Sequence, residues 1–162
     1  MLDPEDTPPS LASFAQYFRI GIEVGICCPD QARDWAFSII DKMDEPPGEI
    51  IEVTWRKPLA ALLLDLNDVK GEPDLNLVCG WLLGTLSAAV QSMNGDLDGP
   101  VRQATQIART VGSSDLYYIF DSIEDGIHLA DSQTYGTTEE CRRDFLNALN
   151  KYATQPFAYA KI

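Results

Sequence analysis

With 162 residues, 45% of them apolar, the chain fits one domain able to bury roughly two thirds of its unfolded surface without disulfides or metal, which excludes wholesale disorder. Its 25 acids and 12 bases give a net charge of −13, spread unevenly: residues 1–81 carry 15 acids and 6 bases, the remainder 10 and 6. Such a surface repels nucleic-acid phosphates and anionic membranes; it favours a basic protein partner, or simply confers solubility.

The opening MLDPEDTPPS lacks the basic region and apolar core of a signal peptide, and residues 1–9 read as a flexible arm. Ser10 can cap a first helix with Leu11, Phe14, Tyr17, Phe18 and Ile22 inward, closed by Gly25. Cys28 then stands at an N-cap position, Pro29 at the first helical position, and Asp30 near the positive end of the dipole. Ala32, Trp35, Ala36, Ile39, Ile40 and Met43 recur at helical spacing until Glu45-Pro46-Pro47-Gly48 breaks the pattern. A short helix follows through Ile50, Ile51 and Val53 to about Trp55.

Pro58 opens a fourth helix with Leu59, Leu62, Leu63, Leu66 and Val69 on one side, stopped at Gly71. Residues 73–93 form the fifth and longest. Its apolar positions run nearly all the way round, with Leu75, Val78, Leu82 and Leu86 on one side and Leu77, Trp81 and Ala88 on another. A helix hydrophobic on most sides is buried, so this is the expected central post, with Trp81 and Leu82 both inaccessible. Gly80 and Gly84, one turn apart, leave room for a neighbouring backbone.

Gly99-Pro100 begins a sixth helix with Val101, Ala104, Ile107, Ala108 and Val111 inward. Ser113 or Ser114 caps a seventh carrying Leu116, Ile119, Phe120, Ile123 and Ile127. Thr137 and Glu140 have capping-box spacing for the last, which turns Cys141, Phe145, Leu149 and Tyr152 inward before a tail at 153–162. No stretch alternates as a strand does. The expected fold is therefore all-α, one domain over 1–162, with about seven or eight helices.

Catalytic patterns are missing. The one histidine, His128, has Glu124 a turn before it and Asp131 three residues after, and the three can project along one helical face. Metal sites generally recruit more imidazole or thiolate, so an exposed histidine among solvating acids is the economical reading. No nucleophile-elbow or phosphate-cradling glycine pattern occurs, and DLNDVKGE at 65–72 lacks the spacing of a calcium loop. Cys27, Cys28, Cys79 and Cys141 have neither zinc spacing nor secreted-scaffold density, which suits reduced thiols in the cytoplasm. The run at 75–90 is too short and too interrupted to span a bilayer. No enzyme activity, metal or cofactor is expected.

What stands out is the second helix. At 100° per residue, Asp30, Asp34 and Asp41 fall within about 40° of one another, opposite the apolar stripe, and Phe37 projects beside them. The loop adds Asp44 and Glu45 and the third helix Glu49 and Glu52: seven acids in 23 residues. The charges fit either a solvated outer face or the rim of an interface. Phe37 fits either a second contact layer, such as the C-terminal tail folding over it, or an interface anchor. On the second reading, Asp30, Asp34, Phe37, Asp41, Asp44 and Glu45 contact a basic partner.

The run Gly25-Ile26, Trp35-Ala36, Ile39-Ile40, Asp44, Pro46-Pro47 and Glu49-Ile50-Ile51-Glu52-Val53 resembles small helical immunity proteins of bacterial polymorphic toxin systems, of the contact-dependent-inhibition and type VI kinds. The resemblance covers about 30 of 162 residues and concerns scaffold positions, with Trp35 filling a core slot and the proline pair fixing the turn. It implies a cytoplasmic antidote that binds and blocks one toxin domain. Toxins acting on nucleic acid are usually basic, and an acidic inhibitor can occupy their phosphate-binding groove. A non-catalytic acidic adaptor or regulator is the other reading.

Overall fold

The computed structural model of the protein describes residues 8–93, 95–134 and 136–154. The fold is all-α: the described residues form eight helices and no strand, namely α1 (Leu11–Val24), α2 (Pro29–Lys42), α3 (Gly48–Val53), α4 (Leu59–Asn67), α5 (Leu75–Gln91), α6 (Asp98–Val111), α7 (Ser114–Asp131) and α8 (Thr138–Tyr152). The chain divides into two compact units, Met1–Val78 and Cys79–Ile162, and the divide falls inside α5.

In the first unit α1 packs on α4 and α2, while α3 packs on both α2 and α4. Ser10 caps α1, its hydroxyl accepting from the Ser13 N–H at 3.1 Å and donating to the Glu72 carbonyl at 3.0 Å. Ser13 is itself buried, and its hydroxyl accepts from the Asp74 N–H at 2.9 Å, so two serines fix the 72–74 segment over the start of α1. Ten of the fourteen α1 residues are buried, Ala12, Ala15 and Gly21 among them. That enclosure goes beyond the single stripe expected for α1, because small residues fill the sides that the large apolar ones leave.

α4 departs from expectation in the other direction. Leu62, Leu66 and Val69 are buried, but Leu59, expected on the same side, is 51% exposed and Leu63 is only partly covered; Leu64, outside the expected side, is 64% exposed. The helix ends at Asn67, before Gly71. Five leucines within nine helical residues cannot all face one core; only the i, i+4 pair Leu62 and Leu66 does so fully.

α5 is enclosed through its middle, where every residue from Val78 to Gly84 is buried, Leu82 completely and Trp81 to 8% exposure. Its ends are not: Leu75, Ala88 and Ala89 are exposed. Asp74 starts the helix, its Oδ1 accepting from the Leu77 N–H at 3.2 Å. Within the second unit the Thr154 N–H donates to the Gly80 carbonyl at 3.1 Å. A Cβ at Gly80 would lie 2.8 Å from Thr154 Cγ2 and Oγ1, so the glycine admits the backbone that the sequence anticipated there.

α6 packs on α7 and α7 on α8, with Phe120 and Phe145 meeting edge-to-face at 6.0 Å. Gly112 closes α6 at φ 79°, Ser113 caps α7, and the Thr137 hydroxyl caps α8 by accepting from the Glu140 N–H at 3.2 Å. No helix among the described residues is long and apolar enough to cross a membrane.

Candidate protein-docking face

α2 is set up by the residues that start it. The Cys28 N–H donates to Gln31 Oε1 at 2.8 Å, which satisfies one donor at the helix start, and Pro29 brings a φ already suited to a first turn. The inner face is Ala32, Trp35, Ala36 and Ile39, all buried. Trp35 is completely enclosed between Phe18 (ring centroids 5.5 Å) and Phe14 (6.2 Å), and this aromatic stack fixes the rotation of α2 about its axis. Met43 was expected in the inner stripe but is 40% exposed, since α2 ends at Lys42 and the backbone turns extended at residue 43.

With the inner face fixed, the outer one follows. Asp30, Asp34, Phe37, Asp41, Asp44 and Glu45 are all exposed, Phe37 to 52%. The alternative that the C-terminal tail covers Phe37 concerns residues 155–162, outside the described residues.

The charges on this side are not equivalent. Arg33 pairs with Asp30, and its hydrogen bond and positive charge hold that carboxyl below its ordinary value. Glu49 lies 3.6 Å from Lys70, and Glu52 lies 3.3 Å from Lys57, which also pairs with Asp65. Partial desolvation pulls the Lys57 ammonium down, but the hydrogen bonds it donates to Asp65 and Glu52, reinforced by their charge, raise it overall. These pairs withdraw Glu49 and Glu52 from the free acidic field. Asp34, Asp41, Asp44 and Glu45 have no ion-pair partner among the described residues. Their carboxylates are available to a guanidinium or ammonium from outside.

Sequence reasoning missed the apolar exposure in the same unit: Ile51 (37%), Trp55 (57%), Leu59 and Leu64. The available signal was the Trp55-Arg56-Lys57-Pro58 stretch, where a proline directly after a basic pair ends any continuous helix. Trp55 lies in that connection, with the Lys57 ammonium 5.8 Å from its ring centroid.

Elsewhere, His128 is exposed on α7. Glu124 turns to Arg102, at 3.7 Å, and the described residues contain no group of three metal-ligating side chains around His128 or elsewhere. Burial pushes the Cys79 thiol up to about 11, and burial likewise raises Cys27 and Cys141. All four cysteines are free thiols, and Cys28 alone is exposed. In the second unit Tyr118 is 69% exposed and borders two open clefts. One, of about 330 Å³, also involves Arg109, Ser113 and Tyr117; the other, of about 500 Å³, runs along Ile119, Ile123 and Ala148. No protein-family model, curated protein or solved structure matches the chain.

Proposed function

We propose that the chain is a non-catalytic binding protein that acts as an immunity protein in the cytoplasm, docking a basic toxin domain on the outer face of α2 and the loop after it. The observation that carries this reading is the placement of Phe37. It is a half-exposed aromatic beside Asp34 and Asp41, carboxylates with no ion-pair partner among the described residues, on a helix whose opposite face is locked in the core. Aromatic anchors ringed by polar groups hold complexes together, while rim charges speed encounter. The net charge of −13 supports a basic partner and disfavours nucleic acid or an anionic membrane as the ligand. A toxin that handles nucleic acid has a phosphate-binding groove, and Asp34, Asp41, Asp44 and Glu45, with no ion-pair partner among the described residues, are suited to fill it.

Affinity capture from the native organism, with mass spectrometry of the tightest partner, tests the reading. The expected result is one dominant basic protein, released by salt. Asp34→Lys with Asp41→Lys should slow association and flatten its salt dependence, whereas Phe37→Ala should speed dissociation at a cost of about 2 kcal/mol or more. If both variants fold and hold that partner like the parent protein, the face is wrong. An adaptor role is the second reading, favoured by the exposed Tyr118 between its two clefts in the second unit, because an adaptor needs a second surface.

A further inference from the structure

The spacing on the outer face of α2 carries more than its charge. Asp30, Asp34, Phe37, Asp41 and Asp44 follow one another at intervals of four, three, four and three residues, the first four of them within α2 and all five exposed. Alternating fours and threes average 3.5 residues, so the row runs nearly parallel to the helix axis. From Asp30 to Asp41 it covers about 16 Å at 1.5 Å per residue. The phenylalanine sits at its centre with an aspartate on each side.

A straight row on one helix matches a straight element laid beside it. An extended segment gains most of its binding from backbone hydrogen bonds at a sheet edge, and the described residues contain no strand to offer one. A helix needs no such edge and binds through side chains at three- and four-residue spacing. Charge complementarity fixes the rest. Asp30 already holds Arg33, while Asp34, Asp41 and Asp44 have no ion-pair partner among the described residues.

We infer that the docking element of the partner is a basic amphipathic helix lying along α2, with an apolar side chain on Phe37 and a lysine or arginine about one turn to each side of it. This inference rests on the docking reading above and adds the form of the partner's contact.

Two stapled helical peptides of equal length, composition and helicity test it. In the first, arginines stand three and four residues either side of a leucine, on one face; in the second, the same arginines are moved to the face opposite the leucine. Each is titrated against the full chain by fluorescence anisotropy at about 0.1 M salt, where exposed charges are already screened beyond roughly 10 Å. The expected result is that the first peptide binds roughly ten-fold tighter or better than the second, a preference lost in Phe37→Ala and reduced in Asp34→Asn. Asp121→Asn on α7 should leave it intact. Equal binding of the two peptides, or binding of neither, overturns the inference. The docking reading itself is judged separately, by whether the α2 variants lose the captured native partner, and the peptides do not enter that measurement.

Discussion

Trp35 and Phe37 sit two residues apart and meet opposite fates, and the difference predicts how each responds to truncation. Trp35 is fully enclosed, and its indole N–H has no hydrogen-bond partner among the described residues. Trp35→Ala should therefore cost about 3–5 kcal/mol as a core cavity. Trp35→Phe also removes the unsatisfied donor, which offsets part of the lost packing, and should cost well under half as much. Chemical denaturation followed by circular dichroism measures both, and equal costs would remove the idea that the N–H is a burden. Phe37→Ala should leave the midpoint nearly unchanged. Cys79 supplies a pH prediction. The unfolded thiol ionises near 9.0 and the buried one near 11. Between those values only the unfolded chain sheds its proton. This contribution to stability is thus intact below pH 9 and is lost as pH rises toward about 11. Cys79→Ala should show a shallower fall over that window, read as the difference between the two denaturation profiles.

At the scale of elements, the Gly80–Thr154 approach is the most exposed to test. Gly80→Ala gains about 1 kcal/mol of helix propensity but places a methyl 2.8 Å from the Thr154 side chain. Overpacking of this kind typically costs about 1–3 kcal/mol, so the net change should be destabilising, and adding Thr154→Gly should restore most of it. A double variant no better than the single one would show that the close contact does not set the cost. The same element shows what the residues revealed in advance. Period and capping residues placed all eight helices, because Ser10, Pro29, Ser113 and Thr137 act locally through their own hydroxyls or ring. Asp30, Asp34, Phe37 and Asp41 could be assigned to the outer side of α2 because the Trp35 side so clearly faces inward. What was not legible depends on contacts distant in sequence. The pairing of Glu49 with Lys70 is one case, and the exposure of Leu59 on the expected inward side of α4 is another. Periodicity ranks positions around one helix but does not say how wide a strip its neighbours cover.

For the whole molecule, charge and topology act on different observables. The first unit carries 15 acids against 6 bases and the second 10 against 6, so self-repulsion is concentrated in the unit that holds Asp34 and Asp41 of α2. Moderate salt should raise the thermal midpoint of the free protein, and Asp34→Asn with Asp41→Asn should raise it at low salt while weakening partner capture. A midpoint independent of salt would mean that the carboxylates do not strain the fold. Topology governs how unfolding proceeds. Trp35 reports on the first unit and Trp81 on the second, and single-tryptophan variants that keep one or the other should give coincident urea transitions. Separate midpoints would mean that the units unfold independently. The reason to expect coincidence is that the divide falls at Val78, the first of seven consecutive buried residues in one continuous helix. Protein engineers usually split, permute or recombine a chain where one compact unit gives way to the next, because that is ordinarily an exposed linker. Here that junction is the least suitable place to cut. Breakpoints near Glu45 or Gly95, both exposed and outside any helix, should give reassembling fragments and viable chimaeras, whereas a break between Val78 and Cys79 would cut a continuous helix within a run of buried residues and should not.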